Sequence, residues 1–189
     1  MGSPLQKKPT AGLCLTSTAR HIVLLALCWT SWSFADDNEL LPMTSVGRDM
    51  RVAEVQQRVN STTSSTDKLY TGEQAKVVIP RVNIAHVNVS AKYFFLDDKL
   101  VQVNLSTGII SEAAAASAFD KIARVMIKAN GLVQDHDGQN DKGNIQKSLN
   151  WDSATHQDWL LMLPVTHGRS MVTFGRKFKP LSAELGADE

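Results

Sequence analysis

The acidic run at residues 135–144 contains the side chains best suited to hold a metal ion. Three aspartates alternate there with asparagine, glycine and other polar residues, and alternating oxygen ligands ahead of a glycine are typical of calcium loops. When the loop is aligned from Asp135, Asn140 occupies the place of the glycine that makes the sharp turn. Gln146 then occupies the place of the bidentate glutamate. These departures favour a solvated loop without a cofactor, and a calcium site is the alternative.

The histidines do not form a zinc motif. Four of them follow residue 35, and none has another histidine, or a glutamate in a zinc motif, at the spacing that a zinc-binding helix requires. The sequence therefore predicts no local zinc site. The enzymatic alternative is a site assembled from distant residues, in which the fold brings His156 or His167 together with carboxylates in a deep pocket.

A nucleophile motif is also incomplete. Gly168-Arg169-Ser170 begins like the glycine-flanked serine of a nucleophile elbow but lacks the second glycine. It also lies between two predicted strands, whereas the elbow requires a strand followed by a helix. We interpret it as a hairpin turn. Because no phosphate-binding glycine loop is present either, we predict that the protein is not an enzyme.

Two alternating segments near the middle of the chain predict a β-hairpin around which the other elements are arranged. Residues 87–95 and 100–105 place apolar side chains at every second position, as half-buried strands do. Asp97 and Asp98 lie between them and predict a tight turn. One face of this hairpin must therefore be covered by another element.

The helix predicted at residues 111–130 is that element. Ser111 is a suitable N-terminal cap, and Gly131 supplies the residue on which helices commonly end. The helix carries an apolar stripe at helical spacing, formed by Phe119, Ile122, Ala123, Met126 and Ile127.

The elements before the hairpin are less regular. Residues 50–59 predict a valine-containing helix that Asp49 caps, and residues 61–67 predict a flexible polar connection. Pro80 interrupts the strand that follows, so this strand is expected to be an edge strand or to be bulged. A change of apolar register predicts a turn or bulge at residues 85–86.

Three further strands are predicted after the central helix. Their apolar residues alternate; these are Trp151 in the first strand, Trp159, Leu161 and Leu163 in the second, and Val172 and Phe174 in the third. We interpret both tryptophans as core residues. Residues 134–144 and 164–168 are predicted as loops or turns.

The order of the elements predicts an α+β fold. A helix and three strands occur twice, at residues 45–107 and 111–178, and this order suggests two helix-then-antiparallel-strands units. We expect the helices to pack on one face of an antiparallel sheet.

The first 35 residues are predicted to be a secretory signal peptide. Basic residues precede the apolar run at residues 22–29, and Ser33 and Ala35 supply the small residues of a cleavage site after Ala35. The apolar run is shorter than the ~20 residues that a membrane-spanning helix requires. Cys28 is the alternative attachment point for a lipid, although Leu27 before it is larger than such a site prefers. We expect a single domain at residues 36–180 and a flexible tail at residues 181–189.

The composition limits the classes of partner. The chain has 20 Lys and Arg residues against 19 Asp and Glu residues, and removal of the signal takes away Lys7, Lys8 and Arg20. The mature protein would then be slightly acidic, so we predict no binding to nucleic acid. It would also lack cysteine, because both cysteines precede residue 35. No later apolar run is long enough to span a membrane.

The hairpin sequence resembles a known group of proteins. Tyr93-Phe94-Phe95-Leu96-Asp97-Asp98-Lys99-Leu100-Val101-Gln102-Val103 is similar to a hairpin in small secreted bacterial α+β proteins. Those proteins include the outer-membrane-assembly small lipoprotein type and the β-lactamase-inhibitor-protein type. The resemblance implies a binding role.

These observations together predict a non-enzymatic periplasmic interaction protein. Its most concrete form is an inhibitor or immunity protein that blocks a secreted or periplasmic enzyme, and the alternative is an assembly factor of the outer membrane. We expect residues 135–144 and 164–170 to lie at one end of the second group of strands and to bind the protein partner. The predicted contact residues are His136, Asp137, Asp141, Lys142, His167 and Arg169.

Overall fold

A computed structural model of the protein describes residues 39–131, 133–139 and 145–180. These residues contain three helices and seven strands. In chain order they are α1 (Leu41–Thr44), α2 (Val52–Val59), β1 (Gln74–Ile84), β2 (Val87–Leu96), β3 (Lys99–Ser111), α3 (Glu112–Asn130), β4 (Gln134–Gln139), β5 (Ile145–Asp152), β6 (His156–Thr166) and β7 (Arg169–Phe178).

The seven strands form one antiparallel sheet in the order β1-β2-β3-β7-β6-β5-β4. The two groups of strands meet where β3 pairs with β7, and β1 and β4 are the outer strands. An antiparallel sheet with helices confirms the predicted α+β class. The prediction of a loop from residue 134 was wrong over β4, whose polar sequence lacks the apolar alternation that identifies a half-buried strand.

The hairpin turns follow the local sequence signals. Ala85 and His86 both have positive φ angles, of 51° and 61°, and so do Asp97 and Asp98, at 48° and 65°. Two such residues in succession twist a hairpin in the same sense as its strands. The pairing of β1 shifts around Pro80, and β1 is an outer strand. The predicted turns and the predicted bulge are therefore confirmed.

The core lies between α3 and the central strands. The helix contacts β7, β6, β3 and β2, and its stripe is buried as predicted except for Ile127, which is 40% exposed. Val55 of α2 belongs to the same buried cluster. Burial of these apolar side chains is the main force that holds the helices on the sheet.

The predicted core face of β6 was wrong. Leu160 and Met162 are buried, whereas Trp159, Leu161 and Leu163 point to the other face and are only half-buried. The ring of Trp159 lies over Gly175. A Cβ atom added to Gly175 would be only 2.7 Å from Trp159 Cζ2. Trp151, by contrast, is buried as predicted.

Residues 61–67 are not the flexible connection that the sequence predicts. Ser61 Oγ donates to the Val78 carbonyl at 2.6 Å, and Val78 N donates to the Thr63 carbonyl at 2.9 Å. Ala75 N donates to the Asp67 carbonyl at 2.9 Å. This segment, called here the edge segment, therefore satisfies backbone groups along the outer side of β1.

Helix α2 begins later than predicted. Asp49 has a φ of 63° and does not cap it; the cap is Arg51, whose backbone N–H donates to Glu54 Oε2 at 2.6 Å. The short helix α1, which was not predicted, is held by the Tyr93 hydroxyl. That hydroxyl donates to the Pro42 carbonyl at 3.0 Å.

Candidate functional site

The β6–β7 hairpin presents two of the predicted contact residues. The turn between these strands comprises His167 and Gly168, and Gly168 has a φ of 69° that favours glycine. His167 and Arg169 are exposed. Ser170 is 3% exposed and follows the turn within β7, so the reading of this motif as a hairpin turn is confirmed.

Helix α3 begins against this hairpin. Ser111 Oγ accepts from the Ala114 backbone N–H at 3.3 Å and caps the helix as predicted. The Glu112 N–H donates to the Gly168 carbonyl at 3.0 Å. Arg169 Nη2 donates to the Ile109 carbonyl at 3.0 Å and ties the hairpin to the end of β3. One backbone hydrogen bond therefore joins the hairpin to the first turn of the helix, and one side-chain hydrogen bond joins it to the end of β3.

A groove runs between the hairpin and the first turns of α3. One part has a volume of about 400 Å³ and the adjoining part about 520 Å³, and they share Glu112 and Met162. The other lining residues are Pro164, Val165, Thr166, His167, Gly168 and Ser170 in the first part, and Ala113, Ala116 and Lys147 in the second. We call this feature the hairpin groove.

The chemistry of the hairpin groove is mixed. Its apolar surface comes from alanine, methionine, proline and valine side chains, and Glu112, Lys147 and His167 add polar or charged groups. Lys147 Nζ lies 5.7 Å from the centre of the Phe119 ring, at cation–π distance. Val165 and Ile109 remain 42% and 50% exposed at the same end of the sheet. Such a mixture is typical of a protein-binding surface.

The remaining predicted contact residues lie in or beyond β4. The strand register places His136 opposite Ser148 and Asp137 opposite Lys147. Lys147 lines the hairpin groove, so Asp137 lies on the strand beside a groove-lining residue. Asp141 and Lys142 lie outside the described residues, as does half of the acidic run proposed as the calcium alternative, residues 140–144.

A second polar cluster lies near the other end of α3. Arg176 Nε and Nη2 donate to the two carboxylate oxygens of Asp158, each at 2.8 Å, and Asn130 Nδ2 donates to Asp158 Oδ2 at 3.0 Å. His156 Nε2 lies 3.8 Å from the same oxygen. Burial lowers the pKa of His156, and the positive charge of Arg176 adds to this effect.

This cluster contains the residue types of an acid–base site, but their side chains are arranged to pair with one another. Asp158 is 1% exposed and both of its oxygens are already hydrogen bonded to Arg176. A buried carboxylate with these partners is fully paired and presents no free oxygen to a substrate.

Sequence reasoning missed Lys147 and Met162 of the hairpin groove. Neither belongs to a motif, and only the pairing of β5 with β6 brings them beside Glu112. Glu112 follows the predicted N-terminal cap Ser111, and its position against the hairpin depends on the β3–β7 pairing.

Comparison of the chain with family models, with curated proteins and with solved structures found no match. Within the described ranges, no group of three or more His, Cys, Asp or Glu side chains is placed to bind a metal ion. The helices of that part of the chain are all too short or too polar to cross a membrane.

Proposed function

We propose that this protein is a non-enzymatic periplasmic binding protein that inhibits a secreted or periplasmic enzyme, or confers immunity to one. The observation that carries the proposal is the hairpin groove, where an exposed turn with His167 and Arg169 borders a concavity lined by both polar and apolar groups. Non-obligate protein interfaces have such a mixed polar and apolar surface. Export is supported by the predicted signal sequence, which lies outside the described residues.

The fold supplies a rigid frame for this role. We infer that α2 with β1–β3 and α3 with β4–β7 form two helix-then-strands units, with both helices on one face of the sheet. The support for this arrangement is that Val55 of α2 and Ile122 of α3 share one buried cluster with the central strands. Loops held by such a frame lose little entropy on binding.

A second candidate function follows from Cys28. If a lipid is attached there, the protein is better explained as an assembly factor held at the outer membrane. The intact mass of the exported protein distinguishes the two functions. A chain beginning at Asp36 supports the inhibitor, and a diacylglyceryl mass on Cys28 supports the assembly factor.

The interface is tested by a charge-reversal variant. The wild-type protein is immobilised, an extract of the native periplasm is passed over it, and the retained enzyme is titrated for inhibition. The variant Arg169→Glu with Asp141→Lys should weaken inhibition at least about tenfold, because both charges would lie on the rim of the interface. Thermal stability should fall only slightly, by about 1 kcal/mol or less, because Arg169 is exposed and loses a single hydrogen bond to the Ile109 carbonyl.

The matched control reverses two exposed charges elsewhere. Arg58→Glu with Asp120→Lys makes the same change of charge on the exposed surfaces of α2 and α3. Equal inhibition by both variants and the wild type would move the interface away from the hairpin groove, to the sheet face that carries Asn88, Ser90 and Lys92.

A further inference from the structure

Tyr70 is the most exposed large apolar side chain among the described residues. Its relative exposure is 107%, whereas the next value is 50%, for Ile109. The other tyrosine, Tyr93, is completely buried. Full exposure of an aromatic ring forgoes the free energy that burial would give, and aromatic rings are enriched at the centres of protein interfaces.

The turn that presents Tyr70 is well ordered by hydrogen bonds. Leu69 N donates to the Glu73 carbonyl at 2.9 Å, and Gly72 N donates to the Leu69 carbonyl at 3.0 Å. Gly72 has a φ of 102°, which disfavours other residues. The Thr71 hydroxyl donates to the Glu73 carboxylate, and Glu73 is only 8% exposed. The ring is therefore held outward by a closed turn.

The turn is also fixed to the sheet on both sides. Lys68 bridges to Gln74. Before the turn, Asp67 accepts from Ala75 N through its carbonyl and binds Lys92 Nζ through its carboxylate at 2.6 Å. The conformational entropy of this segment is thus lost on folding and not on binding, which favours tight association.

We propose that Tyr70 is the anchor residue that this protein inserts into a pocket of its partner enzyme. This inference rests on the proposed inhibitory function and adds a second contact to it, because Tyr70 precedes β1 near the Phe95 end of β2 whereas the hairpin groove lies at the Ser111 end of β3. It also specifies the partner's chemistry. The pocket has apolar walls for the ring and a hydrogen-bond acceptor for the phenol hydroxyl. Its rim is acidic, because exposed Lys68 lies two residues from the anchor.

The test compares three variants as inhibitors of the enzyme that immobilised wild-type protein retains from the periplasmic extract. Tyr70→Ala should weaken inhibition at least about 30-fold, the effect of a central interface residue. Tyr70→Phe should weaken it less, because it keeps the ring and loses only the hydroxyl. The control Ile127→Ala, which shortens an exposed side chain of α3, should inhibit like the wild type.

The outcomes separate this inference from the proposed function. Tyr70→Ala should keep the wild-type melting temperature, since the side chain contributes nothing to the core, so its loss of inhibition can be assigned to the interface. If the wild type inhibits a retained enzyme and Tyr70→Ala inhibits it equally, the anchor is refuted and the inhibitor stands. If the wild type retains and inhibits no enzyme, the proposed function is refuted and the anchor with it.

Discussion

Removal of one partner of the Asp158–Arg176 ion pair should strongly destabilise the second group of strands. Asp158→Asn keeps the shape of the side chain but removes the charge that neutralises Arg176, whose side chain is 14% exposed. It also replaces one acceptor oxygen with an amide group that points at a donor. Breaking one partner of a buried pair costs about 3–5 kcal/mol. For a domain of this size that corresponds to a fall of roughly 10–20 °C in the melting temperature.

The assay is thermal and urea unfolding followed by circular dichroism. The control is Asp152→Asn, because Asp152 pairs with Lys179 at 2.7 Å but is 68% exposed. Removal of such a surface pair costs about 0–1 kcal/mol. Equal loss of stability in the two variants would refute the conclusion that burial gives the Asp158 pair its importance.

A double replacement tests whether the loss of stability comes from leaving one buried charge without its partner. Asp158→Leu with Arg176→Met removes both charges together, so no unpaired buried charge remains. This double variant should be more stable than Asp158→Leu alone. If both variants lose the same stability, the penalty does not come from the stranded guanidinium.

Two further predictions concern Gly175 and His156. Gly175→Ala should destabilise the protein by about 1–3 kcal/mol or more, because its Cβ would lie 2.2 Å from the Val103 carbonyl oxygen; urea unfolding should show no such loss for Gly47→Ala, where no atom lies within 4 Å. Burial lowers the folded-state pKa of His156. The contribution of His156 to the free energy of unfolding is therefore complete above its ordinary pKa of 6.5 and is lost as the pH falls through the lowered value. His156→Gln should remove this part of the pH dependence, and identical profiles of stability against pH for the variant and the wild type would contradict it.

The candidate site was predicted in part from local sequence. The hairpin at residues 164–170 was identified because proline and glycine mark turns irrespective of distant contacts. Lys147 and Met162 could not be identified in the same way, since strand pairing alone brings them to Glu112. Tyr70 was missed because a single tyrosine in a polar stretch gives no indication of whether it will be buried or exposed.

The sequence by itself determined the elements whose signals are local. The alternation in β2, the turn at Asp97 and the stripe of α3 each depend on residues a few positions apart, and all three are present in the structure. The bulge at Pro80 is equally local, because proline cannot donate a ladder hydrogen bond in any context.

Only the tertiary structure decided which surfaces are covered. Trp159 to Leu163 are apolar on both faces of β6, so alternation could not choose between them. The buried face is chosen by α3, which covers Leu160 and Met162. The edge segment is polar and has no periodicity, and its order comes from backbone groups of β1 that would otherwise lack partners. Burial and strand pairing depend on residues far apart in the chain, and for that reason local patterns could not predict them.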